Sequence, residues 1–212
     1  MELDTAQGLA RAHLHAAERP AAALVLGHGA GGGVRAPDLR AVTDVARSLV
    51  ITVALVEQPY VVAGRRSPAP APRLDAAWKA VVAQLREEAL RGLPLMLGGR
   101  SAGARVACRT AAELGAVAVL CLAFPLHPPG RGGDPSASRL GELDAVRVPT
   151  LVVQGESDPF GMPPAGPRRA VARVPGDHGL RSTAAVAEAT RDWLAARVGE
   201  QRPARAAGAR AM

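Results

Sequence analysis

Residues 93–105 read Leu93-Pro-Leu-Met-Leu-Gly-Gly-Arg-Ser-Ala-Gly-Ala-Arg105. The apolar run Leu93 to Leu97 predicts a buried strand, and Ala104 to Cys108 predicts the start of a helix. Between them lies Gly99-Arg100-Ser101-Ala102-Gly103, a G-x-S-x-G motif in the strand-to-helix setting of a nucleophile elbow. A strand that turns at once into a helix holds the serine in a strained backbone conformation. Side chains on either side of so tight a turn would collide, which accounts for glycine at 99 and 103. The turn lifts the Ser101 hydroxyl above the sheet. It also leaves the Ala102 N–H at a helix N-terminus, aimed at any oxygen that gains charge nearby. In a chain with 23 glycines the five-residue pattern also arises by chance, so the reading depends on a base and an acid elsewhere.

Outward from this stretch, strands are predicted at Ala21–Leu26, Val50–Val56, Val117–Leu122, Pro149–Gln154 and Val171–Val174. His13-Leu14-His15 suggests an N-terminal edge strand. Helices are predicted between the strands. One opens at Pro37, with Leu39, Val42, Ala46 and Leu49 at helical spacing. A second spans Arg73–Arg91, with Asp75 and Lys79 placed as an i, i+4 pair. Another runs from Ala102 to near Gly115, and a short one from Leu140 to Val146. The last is capped by Ser182 and runs to about Val198. Alternating strands and helices give an α/β fold, with a mostly parallel sheet of about six to seven strands covered on both faces. Residues 1–199 are expected to form one domain and 200–212 a disordered tail. Every unusual loop follows a strand: 27–36, 57–72, 98–103, 123–139, 155–168 and 175–181. They should converge at the carboxyl edge of the sheet, where sites in such folds lie.

Ser101 needs a base. Of five histidines, only His178 sits in a short glycine-flanked loop between the last strand and the last helix. A neutral imidazole there can accept the serine proton and return it to a leaving group. The base needs an orienting acid. Asp177 adjoins His178, and an adjacent residue rarely reaches back to the far ring nitrogen. Asp158, in the loop after the fifth strand, is better placed.

The run His28-Gly29-Ala30-Gly31-Gly32-Gly33 follows the first strand. Its small side chains let the backbone approach a substrate. The two expected oxyanion donors are the Ala30 and Ala102 amides, with Gly29 or Gly31 as substitutes for Ala30. The same run fits a dinucleotide fingerprint, Gly27-x-Gly29-x-x-Gly32, with Glu57 ending the next strand. Against that reading, Pro37 starts the helix several residues beyond the last glycine, whereas a pyrophosphate needs the helix N-terminus at the glycines themselves.

Composition narrows the classes. The net charge of +7 is carried by scattered arginines, with Lys79 the one lysine and no basic run. A phosphate-binding surface needs a patch, so no nucleic-acid partner is expected. The two cysteines, Cys108 and Cys121, read as buried small hydrophobes. The N-terminus lacks a signal-peptide apolar core, and the clean apolar run near Ala116–Phe124 is too short to span a bilayer. A cytoplasmic location without membrane association is expected, with the oligomeric state left open.

Six ordered motifs, LVLGHGAGGG, VEQPY, GGRSAGARVA, CLAFPLHPPG, PTLVVQGESDPFG and GDHGL, resemble the small α/β-hydrolases related to dienelactone hydrolases. The resemblance covers roughly residues 20–180. It implies an α/β-hydrolase fold without a lid domain, with Ser101 as nucleophile, Asp158 as acid and His178 as base. Dienelactone hydrolases proper use a cysteine nucleophile, and this chain has a serine. The expected function is hydrolysis of a small acyl ester or thioester through an acyl-enzyme, with no metal or cofactor. The alternatives are a hydrolase fold kept as a binding or scaffold module and, more remotely, a dinucleotide-binding oxidoreductase. Tyr60, Phe124 and Phe160, three of only five aromatics, fall in or at the start of loops that follow strands. They either pack loops onto the sheet edge or wall the acyl group, with His127 beside them. Arg65 and Arg66 read first as a solvated pair, and one of them is a candidate for pairing with a substrate carboxylate.

Overall fold

The computed structural model describes residues 1–132 and 134–201. The chain builds one eight-stranded sheet. Its strands are β1 (Glu2–Thr5), β2 (Gly8–His15), β3 (Ala22–Gly27), β4 (Ile51–Glu57), β5 (Leu95–Arg100), β6 (Ala118–Leu122), β7 (Thr150–Gly155) and β8 (Arg169–Val174). The spatial order is β1-β2-β4-β3-β5-β6-β7-β8, with β1 and β2 antiparallel and β3 to β8 mutually parallel.

The sequence reading is extended at the N-terminus. The expected edge strand at 13–15 is the end of the longer β2, and the polar β1 pairs outside it. A strand as short and polar as Glu-Leu-Asp-Thr carries almost no periodic signal; only Leu3 is buried.

Helices cover both faces. They are α1 (Pro37–Ser48), the short α2 (Pro59–Val62), α3 (Ala71–Glu87), α4 (Ala102–Thr110), α5 (Leu140–Asp144) and α6 (Thr183–Gln201). The central strands β3 and β6 are buried along their whole length because alternate residues feed two cores, whereas the edge strand β8 carries Arg169 and Arg173. In β3, Ala23 and Val25 face a core built with Leu74, Trp78 and Val82 of α3 and Val106 of α4. Ala22, Leu24 and Leu26 face the other, built with Leu39 and Val42 of α1 and Val186 and Leu194 of α6. Full burial of such aliphatic side chains is worth about 1.5–3 kcal/mol each.

Helix ends differ from the reading where packing intervenes. The regular part of α4 ends at Thr110, and turns carry the chain on to Gly115, whose φ of +62° closes it with Ala116 N–H on Ala111 O and Gly115 N–H on Ala112 O. Asp75 and Lys79 do not pair with each other. Helix α3 lies beside α4, so Asp75 takes Arg109 at 2.6 Å and Lys79 takes Glu113 at 2.7 Å. The predicted tail falls, from residue 202, outside the described residues.

Strand order reverses at β3, which has β4 on one side and β5 on the other. In open α/β sheets the crevice beyond such a switch point is where ligands bind. Here the loop after β3 and the turn after β5 open into it. Among the described residues no helix is long and apolar enough to cross a membrane.

Candidate active site

Ser101 occupies the turn between β5 and α4 with φ +52° and ψ −109°. A non-glycine residue held there costs about 1–3 kcal/mol and persists only where its surroundings enforce it. They do so by close backbone contact. A Cβ on Gly103 would stand 2.4 Å from the Gly27 carbonyl oxygen, and one on Gly99 would stand 2.6 Å from the same atom. Both glycines are therefore demanded by the packing of the α4 N-terminus onto the end of β3. The Ser101 amide is tied to Leu122 O at 2.9 Å.

The Ser101 hydroxyl lies 3.0 Å from His178 Nε2, and His178 Nδ1 lies 2.8 Å from Asp158 Oδ2. A carboxylate can only accept, so the Nδ1 proton faces Asp158 and the Nε2 lone pair faces the hydroxyl. Three residues separated by up to 77 positions thus form one hydrogen-bonded line. The Asp158 side chain is 1% exposed and fully engaged. Its Oδ1 accepts from Phe160 N–H at 2.9 Å, and its Oδ2 also accepts from Gln154 Nε2 at 2.8 Å. Gln154 further donates to Phe124 O and Gly161 O, which fixes the loop after β7. The loops after β7 and β8 meet at Gly155, where a Cβ would stand 2.3 Å from Asp177 O. Asp177 itself bonds Gly179 N–H as a turn residue. Phe160 packs edge-on against the His178 ring, with centroids 4.4 Å apart.

Among the described residues, the amides of Ala30 and Ala102 have no hydrogen-bond partner, and both residues line the same cavity as Ser101. The loop carrying Ala30 is held from below. The backbone N–H of Gln58 donates to His28 Nε2 at 3.1 Å, so His28 Nδ1 carries the proton and donates to Gly29 O at 2.8 Å. Burial pushes the His28 pKa down and keeps this ring neutral. In a planar trans peptide the C=O and N–H point opposite ways. Anchoring Gly29 O therefore aims the Ala30 N–H in the opposite direction. Tyr60 donates its hydroxyl to Ala30 O at 3.0 Å, and burial raises its pKa to about 12. Glu57, the ribose-binding candidate of the dinucleotide reading, is instead engaged by His13 at 3.0 Å.

A cavity of about 490 Å³ opens over Ser101. Phe160 and His178 line it, with Leu74, Pro68, Pro125 and Pro129 as apolar wall. Several residues expected to touch substrate lie elsewhere. Phe124 is completely buried in the core, because the second residue after β6 still faces inward with Val119 and Cys121. Tyr60 and Arg65 line a neighbouring cavity beside β2, and Arg66 is exposed and lines neither. His127 is half-buried beside Gly161 and does not line the Ser101 cavity. The arginines that do line it are Arg100, Arg105, Arg109 and Arg139, none of them anticipated. The signal for Arg105 and Arg109 was their i, i+4 spacing on the helix that follows Ser101. Arg100 forms an ion pair with Asp38, whose side chain is fully buried at the start of α1.

Residues 20–193 match the family model described as an alpha/beta hydrolase domain. No curated protein matches the sequence. Solved structures share its architecture. A lidless α/β serine hydrolase from Xanthomonas campestris is 21% identical, with a TM-score of 0.71 over 91% of this chain and 93% of that one. Est1E from Butyrivibrio proteoclasticus, solved with ferulic acid, is 16% identical, with a TM-score of 0.76 over 94% and 99%. A dienelactone hydrolase from Anabaena variabilis is 18% identical, with a TM-score of 0.70 over 91% and 94%. At these identities the likeness is one of fold.

Proposed function

The chain belongs to the alpha/beta hydrolase family, and on that premise we propose that it is a serine hydrolase of small acyl esters or thioesters. The observation that carries the reading is the line Ser101–His178–Asp158, at 3.0 and 2.8 Å. In this reading His178 Nε2 takes the hydroxyl proton as Ser101 Oγ attacks the carbonyl carbon. Asp158 holds the ring in the required tautomer and stabilises the imidazolium that forms. The negative charge that develops on the carbonyl oxygen is met by the Ala30 and Ala102 amides. Such a donor is worth about 3–4 kcal/mol in the transition state.

Collapse of the tetrahedral species breaks the bond to the alcohol or thiol, which leaves with the proton from His178. Water, deprotonated by the same ring, then attacks the acyl-Ser101 carbonyl and releases the acid. Leu74, Phe160 and the prolines offer the acyl group an apolar wall.

Turnover of p-nitrophenyl esters from acetate to octanoate tests this directly. Short chains should be hydrolysed, and Ser101→Ala should reduce kcat by about a thousandfold or more. Folded protein that accelerates none of them would instead favour a binding module on a hydrolase fold.

A further inference from the structure

The Ser101 cavity carries more positive charge than its own carboxylates answer. Arg105 is held by Glu142 through Nε at 2.9 Å and Nη2 at 2.5 Å. Arg109 is held by Asp75 through Nε at 2.8 Å and Nη2 at 2.6 Å, and it reaches Glu142 at 3.2 Å. Arg139 has no carboxylate among the described residues. Its Nη1 alone is engaged, by the backbone carbonyls of Pro125 at 3.1 Å and His127 at 3.4 Å. Three guanidiniums thus face two carboxylates at one end of the cavity. Burial, and then the repulsion of Arg105 and Arg109, act against the charge on Arg139, and the attraction of Glu142 offsets them only in part. The remaining nitrogens of Arg139 are unused, in a half-buried side chain on the cavity wall. An anion placed there would relieve that repulsion and find a preformed planar donor edge.

We propose that Arg139 forms an anion subsite beside Ser101, selecting esters whose acyl part ends in a carboxylate. The proposal rests on the hydrolase reading for its chemistry but not for its binding. Hydrolysis itself is unchanged: the ester bond breaks, and the distal carboxylate stays ionised and bound while the acyl group is on Ser101. A carboxylate at this end of the cavity meets one free guanidinium and two already neutralised ones, so the selectivity should be moderate.

The test compares p-nitrophenyl hydrogen glutarate with p-nitrophenyl pentanoate, which has the same five-carbon acyl chain. The glutarate is expected to be favoured in kcat/KM by about tenfold at low salt, and less so as salt screens the pair. Arg139→Gln should erase the preference by raising KM for the glutarate, and Arg139→Lys should keep part of it. Glu142→Gln frees Arg105 and should increase the preference by about threefold, the opposite direction from a merely damaged fold. An independent arm needs no turnover: glutarate binding to the Ser101→Ala protein by calorimetry should be lost when Arg139→Gln is added. An unchanged ester preference in Arg139→Gln, or glutarate binding indifferent to that change, overturns the subsite. If no ester is hydrolysed but glutarate binds through Arg139, the hydrolase reading fails and the subsite stands.

Discussion

The Arg100 Nε lies 2.9 Å from Asp38 Oδ2, and Nη2 of the same guanidinium donates to the His178 carbonyl at 2.9 Å. The residue before the serine therefore ties the start of α1 to the loop that carries His178. Asp38 is completely buried, so removing its partner leaves an unpaired carboxylate in the interior. Arg100→Met is expected to cost about 3 kcal/mol or more in urea unfolding. Adding Asp38→Asn should recover part of that loss, with a coupling energy above about 1 kcal/mol. Strictly additive effects would deny the link.

His28 is buried and neutral, with its pKa below the ordinary 6.5. The unfolded chain therefore takes up this proton first as pH falls. The stability owed to the neutral ring is present above 6.5 and lost as pH drops through the window beneath it. Thermal unfolding between pH 7.5 and 5 should show this slope. His28→Asn, which keeps a donor toward Gly29 O without titrating, should flatten it.

Packing at the elbow separates two glycines that look alike in the sequence. Gly103→Ala puts a methyl group against the Gly27 carbonyl, whereas a Cβ on Gly31 meets nothing within 4 Å. Gly103→Ala should destabilise the protein by about 3 kcal/mol or prevent folding, and Gly31→Ala should stay within about 0.5 kcal/mol. Denaturant midpoints of the two variants decide it.

Gln154 holds Asp158 through a 2.8 Å hydrogen bond. Hydrogen bonds to a charged group contribute about 1.5–3 kcal/mol. If Asp158 orients His178, Gln154→Leu should lower kcat on a good ester by about tenfold to a hundredfold while changing KM little. An equal fall in stability with kcat intact would assign Gln154 to loop structure alone.

Much of this was legible in the sequence because backbone geometry left marks there. A strand, a serine between glycines and a helix specify the elbow, and Pro37 marks where α1 begins. Adjacency to His178 also set Asp177 aside, and Asp158, in the loop of the neighbouring strand β7, faces the far ring nitrogen. What stayed hidden depends on contacts between distant elements. Phe124 reads as a loop aromatic, yet the first residues after β6 still point into the core. Arg65 and Arg66 stand out as a pair, but α2 turns their loop toward a different cavity. Arg139 and Asp38 look unremarkable until folding places one on the Ser101 cavity and buries the other beneath Arg100. A polar residue ending an apolar strand, Gln154, was the one visible clue to the support around Asp158.

If His178 and Asp158 make Ser101 nucleophilic, a fluorophosphonate reacted with the folded protein should give one adduct per chain, located on Ser101 by peptide mass spectrometry. The adduct should form far more slowly in His178→Ala and Asp158→Asn. Folded protein that remains unlabelled, or is labelled at the same rate in all three, would show that Ser101 is not activated by these two residues.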